Sequence, residues 1–324
     1  MAFTVEERYN LKVKIAHLYY LEDKTQVEIS KMLNISRPTI IKLLKEAKEE
    51  QIVSIQIAEL KNTSSFLKEE IMLRNLLGIE DAKIVNVPSE NVEIVCNRIG
   101  NATANYMSNL LKSGQRIGIG WGKTLEYFAE KVKTINKIKD LEFVPMLGGL
   151  GTNREVKMFA NALCEKVASK FPKSTVHYLY APMIAANELT ANAFKESIQN
   201  IFEKIDALDI AIVGIDGDIN HSTTRTSSPD FFSANDIAQL AKYRVVGNVC
   251  AHFYDINGNV CDVSINKRVI AASAENLKRI PTVIAAAGGK YKTDSIIGSA
   301  RGKLFNILIT DEFTAKNIIS KLQK

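Results

Sequence analysis

The sequence is poor in the residues that mark metal sites, disulfide frameworks and membrane spans. Its 324 residues include four cysteines and four histidines, and the cysteines form neither a CxxC pair nor a ligand-like cluster with the histidines. We therefore expect reduced cysteines, no metal site and no cofactor. The N-terminus is polar, and no apolar run approaches the roughly 20 residues of a membrane span. These absences predict a cytoplasmic protein without a membrane partner.

A large excess of charge of one sign is also missing. The formal net charge is only +6, and the basic residues are spread along the chain, so the overall charge does not indicate a nucleic-acid partner. The length is sufficient for one large domain and a smaller one, each with its own core. DNA binding has to be argued from the local placement of residues.

The segment QVEISKMLNISRPTIIKLL, residues 26–44, has the spacing of a helix-turn-helix. Apolar residues three or four apart give each of two short helices an apolar face, and a further apolar residue lies between the helices. These residues are predicted to form a shared core: Ile29, Leu33, Ile35, Ile40 and Leu43. Asn34 falls at the turn, where asparagine tolerates a left-handed backbone better than most residues. Ser36 can cap the second helix, and Pro38 fits its first turn.

The residues that point outward from this core predict contact with double-stranded operator DNA. In a helix-turn-helix the start of the second helix meets base edges in the major groove, so Arg37 and Lys42 can donate to guanine and Ile41 can touch a thymine methyl group. Hydroxyl and amide side chains at the two helix starts suit phosphate contacts. The predicted DNA contacts are Thr25, Gln26, Ser36, Arg37, Thr39, Ile41 and Lys42.

Basic residues outnumber acidic residues around this segment. Between residues 24 and 48 there are six basic residues (Lys24, Lys31, Arg37, Lys42, Lys45 and Lys48) and two acidic residues (Glu28 and Glu46). This local excess supplies the positive face that phosphate neutralisation requires. A helical pair with a solvated charged face is the structural alternative, but so many positional constraints are met together that DNA binding is favoured.

The chain around this segment divides at a polar stretch. A supporting helix is predicted over residues 9–20, and a short strand, a minimal wing, over residues 52–57. Residues 61–65, KNTSS, are polar and mark a boundary. The sequence thus predicts a winged-helix-like helix-turn-helix domain over residues 1–60 and a larger domain over residues 61–324.

Seven apolar runs, most of them separated by helical stretches, follow this boundary. The runs are continuous rather than alternating, as in strands that are covered on both faces. They comprise residues 83–87, 116–120, 141–146, 176–181, 209–214, 282–287 and 305–310. The pattern predicts an α/β fold with a doubly wound, Rossmann-like sheet, which binds ligands at the carboxyl ends of its strands.

Glycine-rich turns follow several of these strands, and one of them suits an anion. In Gly120-Trp121-Gly122-Lys123-Thr124 a strand is followed by glycines, a basic residue, a hydroxyl group and a helix. The N–H groups at a helix start attract phosphate. The spacing is not that of a Walker P-loop, and a plain tight turn is the alternative. The turn at residues 288–293 repeats the chemistry at another strand end, so we expect both turns to meet in one pocket.

These motifs make the chain similar to SorC/DeoR-type bacterial transcriptional regulators over nearly its whole length. The resemblance rests on IAHLYYLEDKTQVEISKMLNISRPTIIKLL in the first domain, and on IGIGWGKT, VPMLGG, VGNVCAHFYDINGN and AAGGKYKTDSIIGSARGKLFNILITDEFTA in the second. It implies that the larger domain has the fold of sugar-phosphate isomerases (the NagB/RpiA/CoA transferase-like type). It also implies that this domain binds a phosphorylated sugar effector that changes operator affinity, and that the protein is a homo-oligomer, a dimer or a tetramer.

The resemblance gives particular residues of this sequence a role. It implies that Gly122, Lys123 and Thr124 hold the sugar phosphate, that Lys292 adds a positive charge to it, and that a double glycine lines the sugar. With Gly120 from the turn itself, the predicted effector-binding residues are Gly120, Gly122, Lys123, Thr124, Gly148, Gly149, Asn161, Asn248 and Lys292.

Two positions depart from the family pattern. Where some members carry a lysine that bonds covalently to an aldehyde effector, this chain has Leu147, which implies non-covalent binding. Where many members carry an acidic residue, this chain has Asn248, which alters the hydroxyl groups that can be recognised.

An active sugar-phosphate isomerase with an appended helix-turn-helix is the main alternative. Asp216 and Asp218 form a carboxylate pair at a strand end that could shuttle protons during isomerisation, although Asp-Gly is also common in solvated turns. The loss of an acid at Asn248 and the complete DNA-reading segment favour binding without turnover, so no catalytic residue is predicted. A purely structural protein would leave the clustered glycines and lysines unexplained.

Overall fold

The computed structural model describes residues 5–53, 66–149, 159–221 and 232–323. The chain forms two compact units, residues 1–63 and 64–324. The domain boundary predicted after residue 60 and most of the predicted wing strand fall on residues 54–65, outside the described residues. Ile52 and Val53, the first two residues of that predicted strand, lie in a bend instead.

Three helices form the described part of the smaller unit: α1 (Val5–Tyr20), α2 (Gln26–Leu33) and α3 (Arg37–Glu49). Their shared core consists of Ile15, Leu18, Ile29, Ile40, Leu43 and Leu44, with Leu33 and Ile35 among the residues packed against it. The five residues predicted as the core of the helical pair therefore lie together, which confirms that prediction.

The turn between α2 and α3 has the predicted geometry. Asn34 adopts the left-handed conformation, with φ 53° and ψ 42°, and the Ser30 hydroxyl donates to the carbonyl of Ile35 at 2.6 Å. Ser36 caps α3 by accepting a hydrogen bond from the backbone N–H of Thr39 at 3.4 Å. The turn and capping residues thus define where one helix ends and the next begins.

The larger unit contains ten strands and eleven helices among its described residues. The strands are β1 (Asp81–Val85), β2 (Arg116–Ile119), β3 (Glu142–Pro145), β4 (Thr175–Val176), β5 (Ile210–Val213), β6 (Ile215–Asp216), β7 (Gly247–Val249), β8 (His252–Tyr254), β9 (Thr282–Ala286) and β10 (Ile307–Asp311). The helices are α4 (Leu67–Leu77), α5 (Val92–Leu110), α6 (Lys123–Lys131), α7 (Ala160–Ala168), α8 (Glu188–Ser197), α9 (Gln199–Asp206), α10 (Ala234–Lys242), α11 (Ser264–Arg268), α12 (Ala274–Arg279), α13 (Thr293–Arg301) and α14 (Glu312–Leu322). None of the helices described is both long and apolar enough to cross a membrane.

Seven of these strands form one parallel sheet, in the order β1-β10-β9-β5-β2-β3-β4. All seven apolar runs that were predicted as strands contribute to it, which confirms the α/β fold class. In β5, Ile210 and Ile212 belong to one hydrophobic core, whereas Ala211 and Val213 belong to a second core. Most strand residues are apolar because each face of the sheet packs against its own core.

The predicted strand at residues 176–181 is wrong for most of its length. Only Thr175 and Val176 pair with β3. Further along, the side chain of Asn161 accepts from the backbone N–H of Leu179 at 3.1 Å and donates to its carbonyl at 3.2 Å. A side chain, rather than a neighbouring strand, therefore satisfies the backbone at the centre of this segment.

A second, antiparallel sheet of three short strands, β6-β7-β8, follows directly from β5. Only Gly214 separates the end of β5 from β6. Asp216 of β6 lies opposite Asn248 of β7 in the register, so their side chains are neighbours on one face. The small sheet therefore places two polar residues beside the carboxyl end of the main sheet.

The position of α6 depends on a close approach to α5 at Gly100. A methyl group at Gly100 would lie 2.7 Å from the backbone nitrogen of Phe128 and 2.8 Å from the carbonyl oxygen of Thr124. Backbone atoms of a packed helix cannot move aside cheaply. Glycine at this position thus lets α6 start where it does, at the end of β2.

We expect Gly100→Ala to lower the free energy of unfolding by about 1–3 kcal/mol, the usual cost of overpacking. Equilibrium urea unfolding followed by circular dichroism measures the change. Asn101→Ala, an exposed position on the same helix, is the matched control and should change stability by less than about 0.5 kcal/mol. Equal stability of the Gly100→Ala and wild-type proteins would show that a methyl group at this position does not clash with the backbone of α6.

Candidate functional site

A cavity of about 490 Å³ opens at the carboxyl ends of β2, β5 and β9. These strands are neighbours in the sheet, so the loops that follow them lie side by side. Both glycine-rich turns singled out in the sequence reach this cavity. Its lining includes Trp121, Gly122, Lys123, Thr124, Asn248, Gly289 and Lys292.

The first turn presents the start of α6 to the cavity. Gly122 precedes the helix with φ 117°, a conformation that favours glycine, and a methyl group there would touch nothing within 4 Å. No side chain caps α6. The first N–H groups of the helix, at Lys123 and Thr124, are therefore left for a ligand or water.

The second turn presents the start of α13 in the same way. Gly289 has φ 108°, and a methyl group there would also meet nothing within 4 Å. Lys292 occupies the position before α13, and no side chain caps that helix. By contrast, Asn91 caps α5 and Ser273 caps α12 through their side chains. Two uncapped helix starts therefore open on one cavity, an arrangement that suits an anion.

Two cavity lysines form ion pairs with nearby carboxylates. Lys123 donates to Glu126 at 3.1 Å, and this hydrogen bond raises the pKa of Lys123 above its usual value. Lys292 donates to the carbonyl oxygen of Ile215 and lies 3.4 Å from the Asp216 carboxylate. Lys123 is thus held in its protonated form, and Lys292 ties the loop after β9 to the small sheet.

Asp216 and Asn248 form a polar wall of the cavity. Asp216 is 9% exposed and Asn248 is 2% exposed. The carboxylate of Asp216 also accepts from the backbone N–H of Gly217 at 2.9 Å, whereas the Asn248 side-chain nitrogen has no hydrogen-bond partner among the described residues. Leaving a buried amide without a partner is unfavourable. A ligand hydroxyl or carbonyl oxygen would supply one.

The structure brings Gly122, Lys123, Thr124, Asn248 and Lys292 together, but four of the predicted effector-binding residues do not line the cavity: Gly120, Gly148, Gly149 and Asn161. Gly120 donates its N–H to the carbonyl of Ile212 at 2.8 Å. A methyl group at Gly148 would lie 2.5 Å from the carbonyl oxygen of Ala181. These glycines serve close backbone packing next to the site, and Asn161 holds the backbone of Leu179 as described above. Gly149 immediately precedes residues 150–158, which lie outside the described residues.

Several lining residues were not predicted as part of the site. Trp121 is the only tryptophan of the chain, and it stacks on Phe159 with ring centroids 6.2 Å apart. His221 and Tyr291 stack at 3.7 Å. Trp121 and Tyr291 were inside the motifs quoted from the sequence, so proximity to the glycines could have identified them. Nothing in the local sequence around His221 indicates the contact.

Across the described residues, no cluster of three or more His, Cys, Asp or Glu side chains could hold a metal ion.

The smaller unit has a basic surface at the start of α3. Arg37, Thr39, Ile41 and Lys42 are exposed there, and within the described part of the chain neither Arg37 nor Lys42 forms a salt bridge. The hydroxyls of the other predicted contacts have internal partners. Thr25 donates to Glu28 at 2.8 Å, and the hydroxyls of Ser36 and Thr39 are 2.8 Å apart. Gln26, the first residue of α2, is half-buried.

Basic residues on α1 are paired with acidic residues on and just after α3. Arg8 contacts Glu46 at 2.7 Å, and Lys12, which is almost fully buried, contacts Glu50. The positive charge of the α1 side is therefore largely cancelled within the unit. Arg37 and Lys42 have no such partner among the described residues and are exposed at the start of α3, where a polyanion can reach them.

A helical unit with an unpaired basic face and an α/β unit with an anion-suited cavity together define the class of ligand-responsive DNA-binding proteins. The chain belongs to the Sugar-bind family, because the family model described as "Putative sugar-binding domain" matches residues 61–320.

Relatives of known name cover almost the whole chain. It is 29% identical to the deoxyribonucleoside regulator of Bacillus subtilis, over 98% of this chain and 99% of that protein. It is also 29% identical to the sorbitol operon regulator of Klebsiella pneumoniae, over 95% of this chain and 97% of that protein. The crystal structure of the full-length Klebsiella regulator SorC superposes with a TM-score of 0.71, at 29% identity, over 96% and 98% of the two chains. A transcriptional regulator from Streptococcus pneumoniae gives a TM-score of 0.73, at 27% identity, over 80% and 98%. The resemblance to SorC/DeoR-type regulators is thereby confirmed.

We expect Asp216→Asn to lower the free energy of unfolding by about 1–3 kcal/mol, because Lys292 would lose its charged partner in a half-buried position. Asp218→Asn is the matched control, since the Asp218 side chain is 38% exposed and contacts His221; it should cost less than about 0.5 kcal/mol. Urea unfolding followed by the fluorescence of Trp121 measures both changes. Equal effects of the two variants would show that Asp216 does not stabilise the cavity wall.

Proposed function

We propose that the chain is a DNA-binding transcriptional regulator of a carbohydrate operon, controlled by non-covalent binding of a phosphorylated sugar or sugar alcohol. Its relatives are named regulators of deoxyribonucleoside and sorbitol genes. The observation that carries the proposal is the pair of uncapped helix starts that open, with Lys123 and Lys292, on one cavity. In this proposal residues 1–60 bind DNA, residues 61–324 bind the effector, and the protein acts in the cytoplasm.

The start of α6 is the proposed position of the phosphate group. There the N–H groups of Lys123 and Thr124 lack a side-chain cap, the helix dipole favours negative charge, and the Lys123 ammonium group lies alongside. Charge-assisted hydrogen bonds are about twice as strong as neutral ones. Most of the affinity should therefore come from the phosphate, with Lys292 adding a positive charge within the same cavity.

The polar wall is the proposed position of the sugar hydroxyls. Asp216 offers a carboxylate acceptor, and Asn248 offers an amide donor that has no partner among the described residues. A group with both donors and acceptors, such as a polyol chain, can satisfy both side chains. Gly120, Gly148, Gly149 and Asn161 then support the site through the backbone rather than through contact with the ligand.

Reversible binding is supported by the residues that surround the cavity. The position before the double glycine is Leu147, which is 1% exposed and carries no amine. Lys123 is held protonated by Glu126, and a protonated amine does not attack an aldehyde. We therefore propose a complex without an imine.

Binding without turnover is the proposed outcome at the carboxylate pair. Asp216 is hydrogen-bonded by Lys292 and Gly217, and Asp218 is hydrogen-bonded by His221 and the backbone of Asn220. Isomerisation needs a base that reaches a substrate C–H group, and these contacts compete with that role. Incubation with aldose and ketose phosphates followed by NMR tests the alternative, since any interconversion above background would indicate an isomerase.

The start of α3 is the proposed DNA-reading surface. In this arrangement Arg37 and Lys42 donate to guanine, Ile41 contacts thymine, and Thr25, Gln26, Ser36 and Thr39 lie near phosphates. One such unit reads only a few base pairs, so we propose a symmetric dimer or tetramer on a two-fold related operator.

We expect Arg37→Ala and Lys42→Ala each to weaken binding to the preferred operator by about 1–3 kcal/mol, because each variant loses a contact to a base edge. Binding to random DNA should change much less. Fluorescence anisotropy with operator and random duplexes at one salt concentration measures the ratio of the two affinities.

The matched control for these variants is Arg8→Ala. Arg8 is also an exposed arginine of the small unit, but Glu46 neutralises it on the α1 side. This variant should keep the wild-type preference for the operator. If Arg37→Ala keeps full preference, or Arg8→Ala loses it to the same extent, the DNA-reading surface is not at the start of α3.

We expect the phosphorylated effector to bind roughly 100-fold or more tightly than its free sugar, because the phosphate makes several charge-assisted hydrogen bonds. Lys123→Met should weaken the phosphosugar by about 10- to 100-fold and leave the free sugar nearly unchanged. Titration of Trp121 fluorescence with each pair of compounds measures these affinities.

Lys131→Met, at the exposed far end of α6, is the matched control and should bind like the wild type. Borohydride added to the complex should leave the protein mass unchanged. Equal affinity for the free and phosphorylated sugar would contradict the phosphate site, and a mass increase would contradict non-covalent binding.

A further inference from the structure

Asp311 is a buried carboxylate directly behind the second glycine-rich turn. It is the last residue of β10 and is 1% exposed. It does not line the cavity. In a seven-stranded sheet whose order places β10 beside β9, the end of β10 lies next to the loop that follows β9. This loop, residues 287–292, is called the effector loop below.

The two carboxylate oxygens of Asp311 accept different hydrogen bonds. One oxygen accepts from the backbone N–H of Thr314 at 2.9 Å and so caps α14. The other oxygen accepts from the backbone N–H of Gly289 at 2.9 Å and from the Thr314 hydroxyl at 2.6 Å. That hydroxyl oxygen also lies 2.7 Å from the Gly289 nitrogen. A helix cap requires only the first oxygen, so the second oxygen serves the effector loop.

The shape of the effector loop matches this contact. A methyl group at Gly288 would lie 2.2 Å from the second carboxylate oxygen of Asp311, so only glycine allows the loop to approach so closely. Gly289 then takes a left-handed conformation that turns its N–H towards Asp311. The next residues, Lys290, Tyr291 and Lys292, line the cavity and lead into α13.

We propose that Asp311, together with Thr314, is a positioning pair that holds the effector loop in its ligand-binding shape. This inference rests on the proposed function, since it concerns how tightly the cavity binds a sugar phosphate. Two consecutive glycines leave a loop with many accessible conformations. Fixing one of these conformations before the ligand arrives removes an entropy cost from binding. Neither residue of the pair needs to touch the ligand for this effect.

The pair can be tested with four variants of the full chain. Asp311→Asn replaces one acceptor oxygen with a donor, and Thr314→Val removes the hydroxyl. Thr314→Ser keeps the hydroxyl and should therefore keep the contact with the effector loop that Thr314→Val loses. Ser273→Ala is the matched control, because Ser273 caps α12 by accepting from Asn276 at 3.2 Å and has no contact with the effector loop.

Two measurements are made on each variant. The first is the dissociation constant of inorganic phosphate, ribose 5-phosphate and sorbitol 6-phosphate, followed by Trp121 fluorescence well below the unfolding temperature. The second is hydrogen exchange of peptides covering residues 287–292 in the absence of any ligand. A purely structural cap would change the unfolding temperature without changing either readout.

For the sugar phosphate that binds the wild type, we expect the dissociation constant to rise about 10- to 100-fold in Asp311→Asn and Thr314→Val. Thr314→Ser and Ser273→Ala should bind like the wild type. Exchange at the effector loop should be faster in the first two variants only. Unchanged exchange and affinity in both Asp311→Asn and Thr314→Val would overturn the proposal. If the wild type binds none of the probes, the proposed function fails. Hydrogen exchange tests the positioning pair separately, because unchanged exchange in both Asp311→Asn and Thr314→Val would show that the pair does not hold the effector loop.

Discussion

An α-helix that begins without a cap leaves backbone N–H groups that must find another partner, and the ligand site depends on this constraint. The parallel sheet brings the ends of β2, β5 and β9 to one edge, and α6 and α13 both begin there without a side-chain cap. Four other helices of the larger unit, α4, α7, α9 and α11, also begin without a side-chain cap, but the starts of α6 and α13 lie beside the cavity. Glycines with positive φ, at Gly122 and Gly289, turn the chain into these two helix starts. The fold thus brings two uncapped helix starts to one cavity, an arrangement that suits an anionic ligand.

The basic residues of the two candidate binding surfaces differ in whether they have a carboxylate partner. In the helical unit, Arg8 and Lys12 are neutralised by acidic residues, whereas Arg37 and Lys42 are left without a salt bridge among the described residues. In the larger unit, Lys123 pairs with Glu126 and Lys292 pairs with Asp216. The surface lysine and arginine of α3 are therefore available to a polyanion at once. In the proposed complex, a phosphate would share these lysines with their carboxylate partners or replace those partners.

The sequence was most informative where one local pattern determines the structure. Continuous apolar runs located six strands of the main sheet, whereas the run at residues 176–181 overlaps β4 only at Val176. The spacing from Ile29 to Leu43 identified the core of the helical pair. The turns that contain Gly122 and Gly289 were recognised because glycines, a basic residue and a helix follow a strand directly.

Contacts between distant segments could not be predicted from local sequence patterns. The antiparallel sheet that sets Asp216 against Asn248 depends on strands of two or three residues, which are too short to carry a periodic pattern. The contact of Asp311 with Gly289 depends on the order of β9 and β10, which no local pattern specifies. The glycine at 148 was assigned to the ligand by resemblance, whereas its space is taken by the backbone of Ala181.

If one ligand site controls DNA affinity, binding of the sugar phosphate and binding of the operator must be thermodynamically linked. The dissociation constant of the operator duplex is measured with and without a saturating sugar phosphate, and that of the sugar phosphate with and without saturating operator. If the two sites are coupled, both ratios must differ from one and must be equal, because binding free energies are reciprocal. We expect equal ratios of roughly 5- to 150-fold, the usual range of such coupling. Ratios of one for a sugar phosphate that demonstrably binds the cavity would show that this site does not control DNA affinity.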